Sequence, residues 1–118
     1  MGKDAKNLSE SEDPLDYVLG FTVGNDVSSR YWQNAQRSGA QHGPAKSFDK
    51  FGPIGPVIAS REAVGDPEAL RLRTWVNGEL RQDGRTDDLI FGIKAIIRHL
   101  SRGMTLRKGT VIMTGTPR

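Results

Sequence analysis

Cysteine is absent from these 118 residues. That excludes disulfides, thiolate nucleophiles and cysteine-held zinc. Long apolar runs are absent too: no stretch approaches the ~18 residues a membrane-spanning helix needs. Only 2 histidines occur, His42 and His99, and neither stands with a serine in nucleophile-elbow spacing, so serine-histidine-aspartate chemistry has little to build on. Neither of the common glycine-rich phosphate loops appears. Charge of one sign is not concentrated either. Lys and Arg number 17 against 14 Asp and Glu, a net +3, and the basic residues from Arg61 to Lys108 are scattered among acidic and apolar neighbours. Nucleic-acid binding favours a dense basic patch, so none is expected. Met1 to Lys6 is charged and lacks the apolar stretch of a secretory signal, which points to an intracellular chain. At this length one modest domain is expected.

What is present is punctuated by turns. Residues 1–14 are polar and break at Pro14, which reads as a flexible lead-in. Tyr17, Leu19, Phe21 and Val23 alternate with smaller residues, predicting a strand that ends at Gly24. A helix over 26–38, stopped by Gly39, would put Asp26, Arg30 and Gln33 on one face at a strand mouth. Ser38 to Lys50 reads as a surface loop that carries Lys46, with His42 solvent-facing in it. Pro53 and Pro56 confine the following apolar run to an edge or to a strand starting at Pro56, and Arg61 to Glu68 reads as a loop. Leu70 to Val76, the Asn77-Gly78 turn and Glu79 to Gln82 predict a hairpin, with Asp83-Gly84 turning again. Thr86-Asp87-Asp88 opens a second helix, whose buried stripe is Ile93, Ile96, Ile97, Leu100 and Met104 and whose stop is Gly103. His99 reads as surface. Thr110 to Met113 predicts a last strand, broken at Pro117. About five strands and two helices are therefore expected.

The chemistry left open is that of a hard cation held by oxygen. Asp26 suits one ligand position, or it is a helix cap. Lys46 suits neutralisation of an anionic substrate or a developing enolate, or it is a surface lysine. Thr114 and the Gly115 amide suit a substrate carboxylate, or they are an ordinary strand exit.

Asp16-Tyr17-Val18, Gly24-Asn25-Asp26-Val27-Ser28-Ser29-Arg30, Ala45-Lys46-Ser47-Phe48-Asp49, Gly55-Pro56, Val76 to Gln82, Leu100 to Leu106 and Thr114-Gly115-Thr116-Pro117 occur in one order. As a set they resemble the C-terminal catalytic domain of the fumarylacetoacetate hydrolase family, its smaller members above all. The resemblance covers nearly all of the chain. It implies a mixed α/β, β-rich fold, an incomplete β-roll with two short helices. Residues 15–118 would then be a partial catalytic domain behind the lead-in. It implies Mg²⁺ or Mn²⁺ (Ca²⁺ in some members), a small oxo-acid substrate, and usually a homodimer at full length. The activities implied are hydrolysis, decarboxylation or isomerisation of 2-oxo or 2,4-dioxo acids through a metal-bound enolate. By position, Asp26 would be a metal ligand, Lys46 the catalytic lysine, and Arg30, Gln33, Thr114 and Gly115 substrate contacts. The Glu-x-Glu pair that completes the family's metal site would precede this stretch. Glu10 and Glu12 share its spacing, but they lie in polar sequence and are not taken as those ligands. The resemblance also leaves a second outcome: a catalytically inactive remnant or a partner-binding fragment with an incomplete metal site. An intracellular location, cytoplasmic or mitochondrial, goes with it.

Overall fold

Short strands and single helical turns follow directly from so many Gly, Pro and Asn breakpoints. The computed structural model describes residues 1–117. Four strands form: β1 (Phe21–Gly24), β2 (Ile54–Ala59), β3 (Arg71–Val76) and β4 (Glu79–Arg85). Five α-helical segments accompany them: α1 (Arg30–Gln33), α2 (Ala35–Ser38), α3 (Gly43–Lys46), α4 (Arg61–Val64) and α5 (Ile93–Leu100). Two 3-10 turns cover Pro14–Tyr17 and Thr86–Asp88. The strands make two separate two-stranded sheets, β1 with β2 and β3 with β4. The expected β-roll with two short helices is therefore wrong: the sheets are open and the helical segments are more numerous.

Local chemistry explains the extra segments. The expected helix over 26–38 begins only at Arg30 and breaks at Asn34, whose backbone is extended and whose side chain accepts from Gln36 N. Gly39 ends α2 in the left-handed region, as expected. Pro44, in the stretch read as a loop, stands at the start of the single turn α3. Ser60 caps α4 through Ala63 N. In the opposite sense, Thr110 to Met113 alternates like a strand but finds no ladder among the described residues.

The chain divides into two compact units, Thr22–Ile58 and the rest. The larger unit holds the apolar core: Ala5, Leu8, Leu15, Ile93, Ile97 and Leu106. Ile93 and Ile97 are one turn apart on α5, as the stripe predicted. Met104 falls beyond the helix, which ends at Leu100 rather than Gly103, and it is exposed. The stretch expected as a flexible lead-in supplies Ala5 and Leu8 to this core. It pairs with the chain near Leu106 through Ala5 N to Leu106 O (2.9 Å) and Leu106 N to Ala5 O (2.8 Å). Buried Ser101 fastens it further by accepting from Leu8 N (3.3 Å). Glu68 accepts from Ile93 N (2.7 Å) and so satisfies a free amide at the start of α5.

The β3–β4 hairpin forms around Asn77-Gly78, both at positive φ as a primed turn requires. Its register pairs Thr74 with Gln82 and Arg71 with Arg85, with an irregularity between Thr74 and Trp75. β4 runs straight through Asp83-Gly84, so the second turn expected there does not form. Arg71 clamps Asp83 across the ribbon by two hydrogen bonds of 2.6 and 2.5 Å, which holds the Asp83 carboxyl below its usual value.

Candidate functional site

Asp26 and Lys46 are twenty residues apart, yet they meet inside the smaller unit. β1 ends at Gly24, and Asn25 N bonds Pro53 O (3.0 Å), so the chain leaves the sheet at a fixed point. Asp26 follows in irregular, exposed chain. It caps nothing, because α1 starts four residues later with Ser29 at its N-cap. Lys46 closes the single turn α3, and Ser29 N to Ala45 O (2.9 Å) ties that turn to the start of α1. Ala45 is fully buried, which anchors α3 beside Lys46. The Lys46 ammonium ion-pairs with Asp26 Oδ2 and also donates to Ser28 Oγ (2.7 Å). Ser28 Oγ in turn donates to the Asp26 carbonyl (2.9 Å).

Ser28 was not singled out by sequence reasoning, although it stands in the same motif as Asp26. Its role depends on the chain folding back on itself, which spacing does not show. Arg30 and Gln33 do fall together, with the Arg30 guanidinium donating to Gln33 Oε1. They bond each other across the single turn of α1, Arg30 exposed and Gln33 half-buried. His42 and His99 are both exposed, as expected.

Thr114 and Gly115 lie in the larger unit. Gly115 has φ of +97°, a conformation that a side chain strains against. Thr114 is half-buried and Gly115 exposed, and both line an open cleft of about 490 Å³ with Leu89, Ile90, Phe91 and Ile96. The hydroxyl of Thr114 makes no side-chain hydrogen bond among the described residues, so it is available as a donor.

The donor set does not fit a complete Mg²⁺ or Mn²⁺ site. Such ions take several oxygens, carboxylates and waters together. Among the described residues no group of three or more His, Asp or Glu side chains is arranged to hold a metal. The one candidate carboxylate, Asp26, is already engaged by an ammonium. Glu12 is occupied as well, by Ser9 N (2.9 Å), Ser9 Oγ (2.8 Å) and Tyr17 OH (2.5 Å). These bonds, the tyrosine's first, hold its carboxyl down at about 2.

A sequence profile of the fumarylacetoacetate hydrolase C-terminal domain matches residues 1–118. The chain belongs to the fumarylacetoacetate hydrolase family. Among curated family members, a 4-hydroxyphenylacetate degradation bifunctional isomerase/decarboxylase of Salmonella dublin is 50% identical over 119 residues, covering 100% of this chain and 27% of that protein. A mitochondrial oxaloacetate tautomerase of Xenopus laevis is 42% identical, with 99% and 36% covered. Among solved structures, a fumarylacetoacetate hydrolase of Exiguobacterium antarcticum superposes with a TM-score of 0.89 at 40% identity, over 99% of this chain and 40% of that one. A 5-carboxymethyl-2-hydroxymuconate delta-isomerase of Mycobacterium smegmatis gives 0.87 at 40% identity, with 99% and 44% covered. The chain thus spans between 27% and 44% of the length of these relatives. No helix among the described residues is long and apolar enough to cross a membrane.

Proposed function

We propose that this chain is a portion, residues 15–118 above all, of a family catalytic domain whose full form acts on 2-oxo or 2,4-dioxo acids. On this reading the 118 residues by themselves carry the anion-handling half of the site and lack the cation-holding half. The observation that carries it is the Lys46 ammonium, held between Asp26 Oδ2 and Ser28 Oγ. Lysine is a flexible point charge. Two fixed acceptors orient it, so that its remaining proton faces an incoming carboxylate or a developing enolate without reorganisation at the moment of need. Arg30 and Gln33, in the same unit as Lys46, would be substrate contacts. Taken by themselves in the larger unit, the Thr114 hydroxyl and the Gly115 amide would offer donors to a carboxylate.

A Mg²⁺ or Mn²⁺ ion would supply electrophilic stabilisation in a full-length, homodimeric relative. A single lysine-paired carboxylate does not supply the ligands for it here. An intracellular location, in cytoplasm or mitochondria, belongs to this reading, and the name of the frog relative is in keeping with it.

Calorimetric titration of the 118-residue chain with Mn²⁺, alone and with oxalate as an enolate mimic, tests the proposal. Binding no tighter than about millimolar, and equal in Asp26→Ala, is the expected result. Micromolar binding that disappears in Asp26→Ala would overturn it and establish a complete cation site.

A further inference from the structure

Gln82 stands on β4 opposite Thr74 of β3, and its side chain leaves the ribbon for the turn that follows Thr114 and Gly115. Its Nε2 donates to Thr116 Oγ1 (2.6 Å) and to the Pro117 carbonyl (2.7 Å). Its Oε1 accepts from Thr74 Oγ1 (2.9 Å). The orientation of the amide is settled by chemistry: a backbone carbonyl only accepts, so the NH₂ end must face Pro117. The ring is closed by Thr116 Oγ1, which also reaches the Pro117 carbonyl (3.4 Å).

The surrounding structure makes this tie consequential. Residues 110–117 have no strand ladder among the described residues. Gly115, at φ +97°, is a point where the backbone turns freely. Immediately after that point, Gln82 fixes both the side chain of Thr116 and the carbonyl of Pro117. The direction of the Gly115 N–H and of the Thr114 hydroxyl is thereby referred to a hairpin that is itself clamped by Arg71 and Asp83. We infer that Gln82 is a positioning residue. It sets the carboxylate-gripping turn at Thr114-Gly115 from the β3–β4 ribbon, and the state of that ribbon controls how well the turn binds a carboxylate. The inference rests on the proposed role of Thr114 and Gly115 in holding a substrate carboxylate.

The test is an amide NMR titration of the ¹⁵N-labelled 118-residue chain with oxalate. In the unaltered chain the Thr114 and Gly115 amides shift on titration. Gln82→Glu keeps an acceptor for Thr74 but turns a carboxylate toward the Pro117 carbonyl, which can only accept, and affinity read at those amides should fall about ten-fold, a loss of the order expected for a hydrogen-bonding partner removed. The Asn77-Gly78 and Ile97 amides should keep their shifts, as they would not if the hairpin or core had come apart. As pH falls toward the carboxyl range, about 4.3, the variant regains a donor. The affinity gap to the unaltered chain at the same pH should then close, a recovery that a merely structural loss would not show. Thr116→Val removes the other end of the bond and should reproduce the loss, so the inference is tested even if a Gln82 variant fails to fold. Oxalate shifts at Thr114 and Gly115 that are equally strong in both variants would overturn the positioning role while leaving the carboxylate reading intact. No response at those amides in the unaltered chain would overturn the carboxylate reading and this inference with it.

Discussion

The two units of this chain differ in what orders them: the larger has an apolar core and the smaller almost none. The larger one contains the apolar core: Leu8, Leu15, Ile93, Ile97 and Leu106 gather around α5, fastened by Ser101 and Glu68. The smaller one, Thr22–Ile58, buries a single alanine of its own, Ala45. It is built from the short β1–β2 sheet, one-turn helices and turns, with Gly39, Ala40, Lys50, Gly52 and Gly55 at positive φ. Its best-defined feature is polar, the ammonium of Lys46 between Asp26 and Ser28. Side chains that must meet a ligand stay partly in solvent, so the segment that carries them gives up burial that would have stabilised it. Substitutions in the core around α5 should therefore change stability, and substitutions at the Asp26–Lys46 corner should change binding.

The largest effect should come from α5. Ile97 is 3% exposed and packs among Leu8, Leu15 and Leu106. Ile97→Ala should cost about 2–5 kcal/mol through lost burial and a cavity, read as a lowered urea midpoint with unchanged slope. A cost near zero would mean that the core assigned to the larger unit does not hold it together. A smaller effect should come from the Glu12–Tyr17 bond in the same unit. Glu12 has a folded value of about 2 against 4.5 when free. A depressed carboxyl stabilises the fold fully above the unfolded value and loses that contribution as pH falls toward the folded one. Stability should therefore decline from about pH 4.5 downward, and Glu12→Gln should flatten that part of the curve of urea midpoint against pH. Tyr17 is shifted upward by the same bond, so its share is present below the ordinary tyrosine value and is lost as pH rises beyond it.

What could be read in the sequence was mostly what local interactions decide. The hairpin was legible because Asn77-Gly78 imposes its turn locally. The α5 stripe was legible because Ile93 and Ile97 lie one turn apart. Asp26 and Lys46 could be named and paired, and the fold brings them together. Three things were not legible, the first two because they depend on distant partners and the third because of a local competition. Residues 1–14 look solvated because polar residues outnumber Ala5 and Leu8, yet those two are what the core uses. Thr110 to Met113 alternates as a strand does, but an alternating segment needs a ladder partner to become one. The break at Asn34 turned one expected helix into two, since an asparagine that can cap the next turn competes with continuation of the last. Ser28 and Gln82 stood inside quoted motifs without a role, because only tertiary contacts show what they hold.

The smallest effect on stability should come from the polar corner itself, and it sharpens the comparison most. The Lys46 and Asp26 side chains are 32% and 55% exposed, and a pair so open to water contributes roughly 0–1 kcal/mol. Lys46→Ala should therefore leave the urea midpoint almost unmoved. Its binding behaviour should change in both directions. Oxalate should lose affinity with the ammonium gone. Mn²⁺ should gain a few-fold, because Asp26 no longer shares its oxygen with a cation, though one carboxylate among waters still holds the ion only weakly. Asp26→Ala should abolish that gain. A Lys46→Ala chain that unfolds would show that the ion pair is structural and that the two units do not divide the work. A chain that stays folded while exchanging anion affinity for cation affinity would show that Lys46 and a metal ion compete for Asp26.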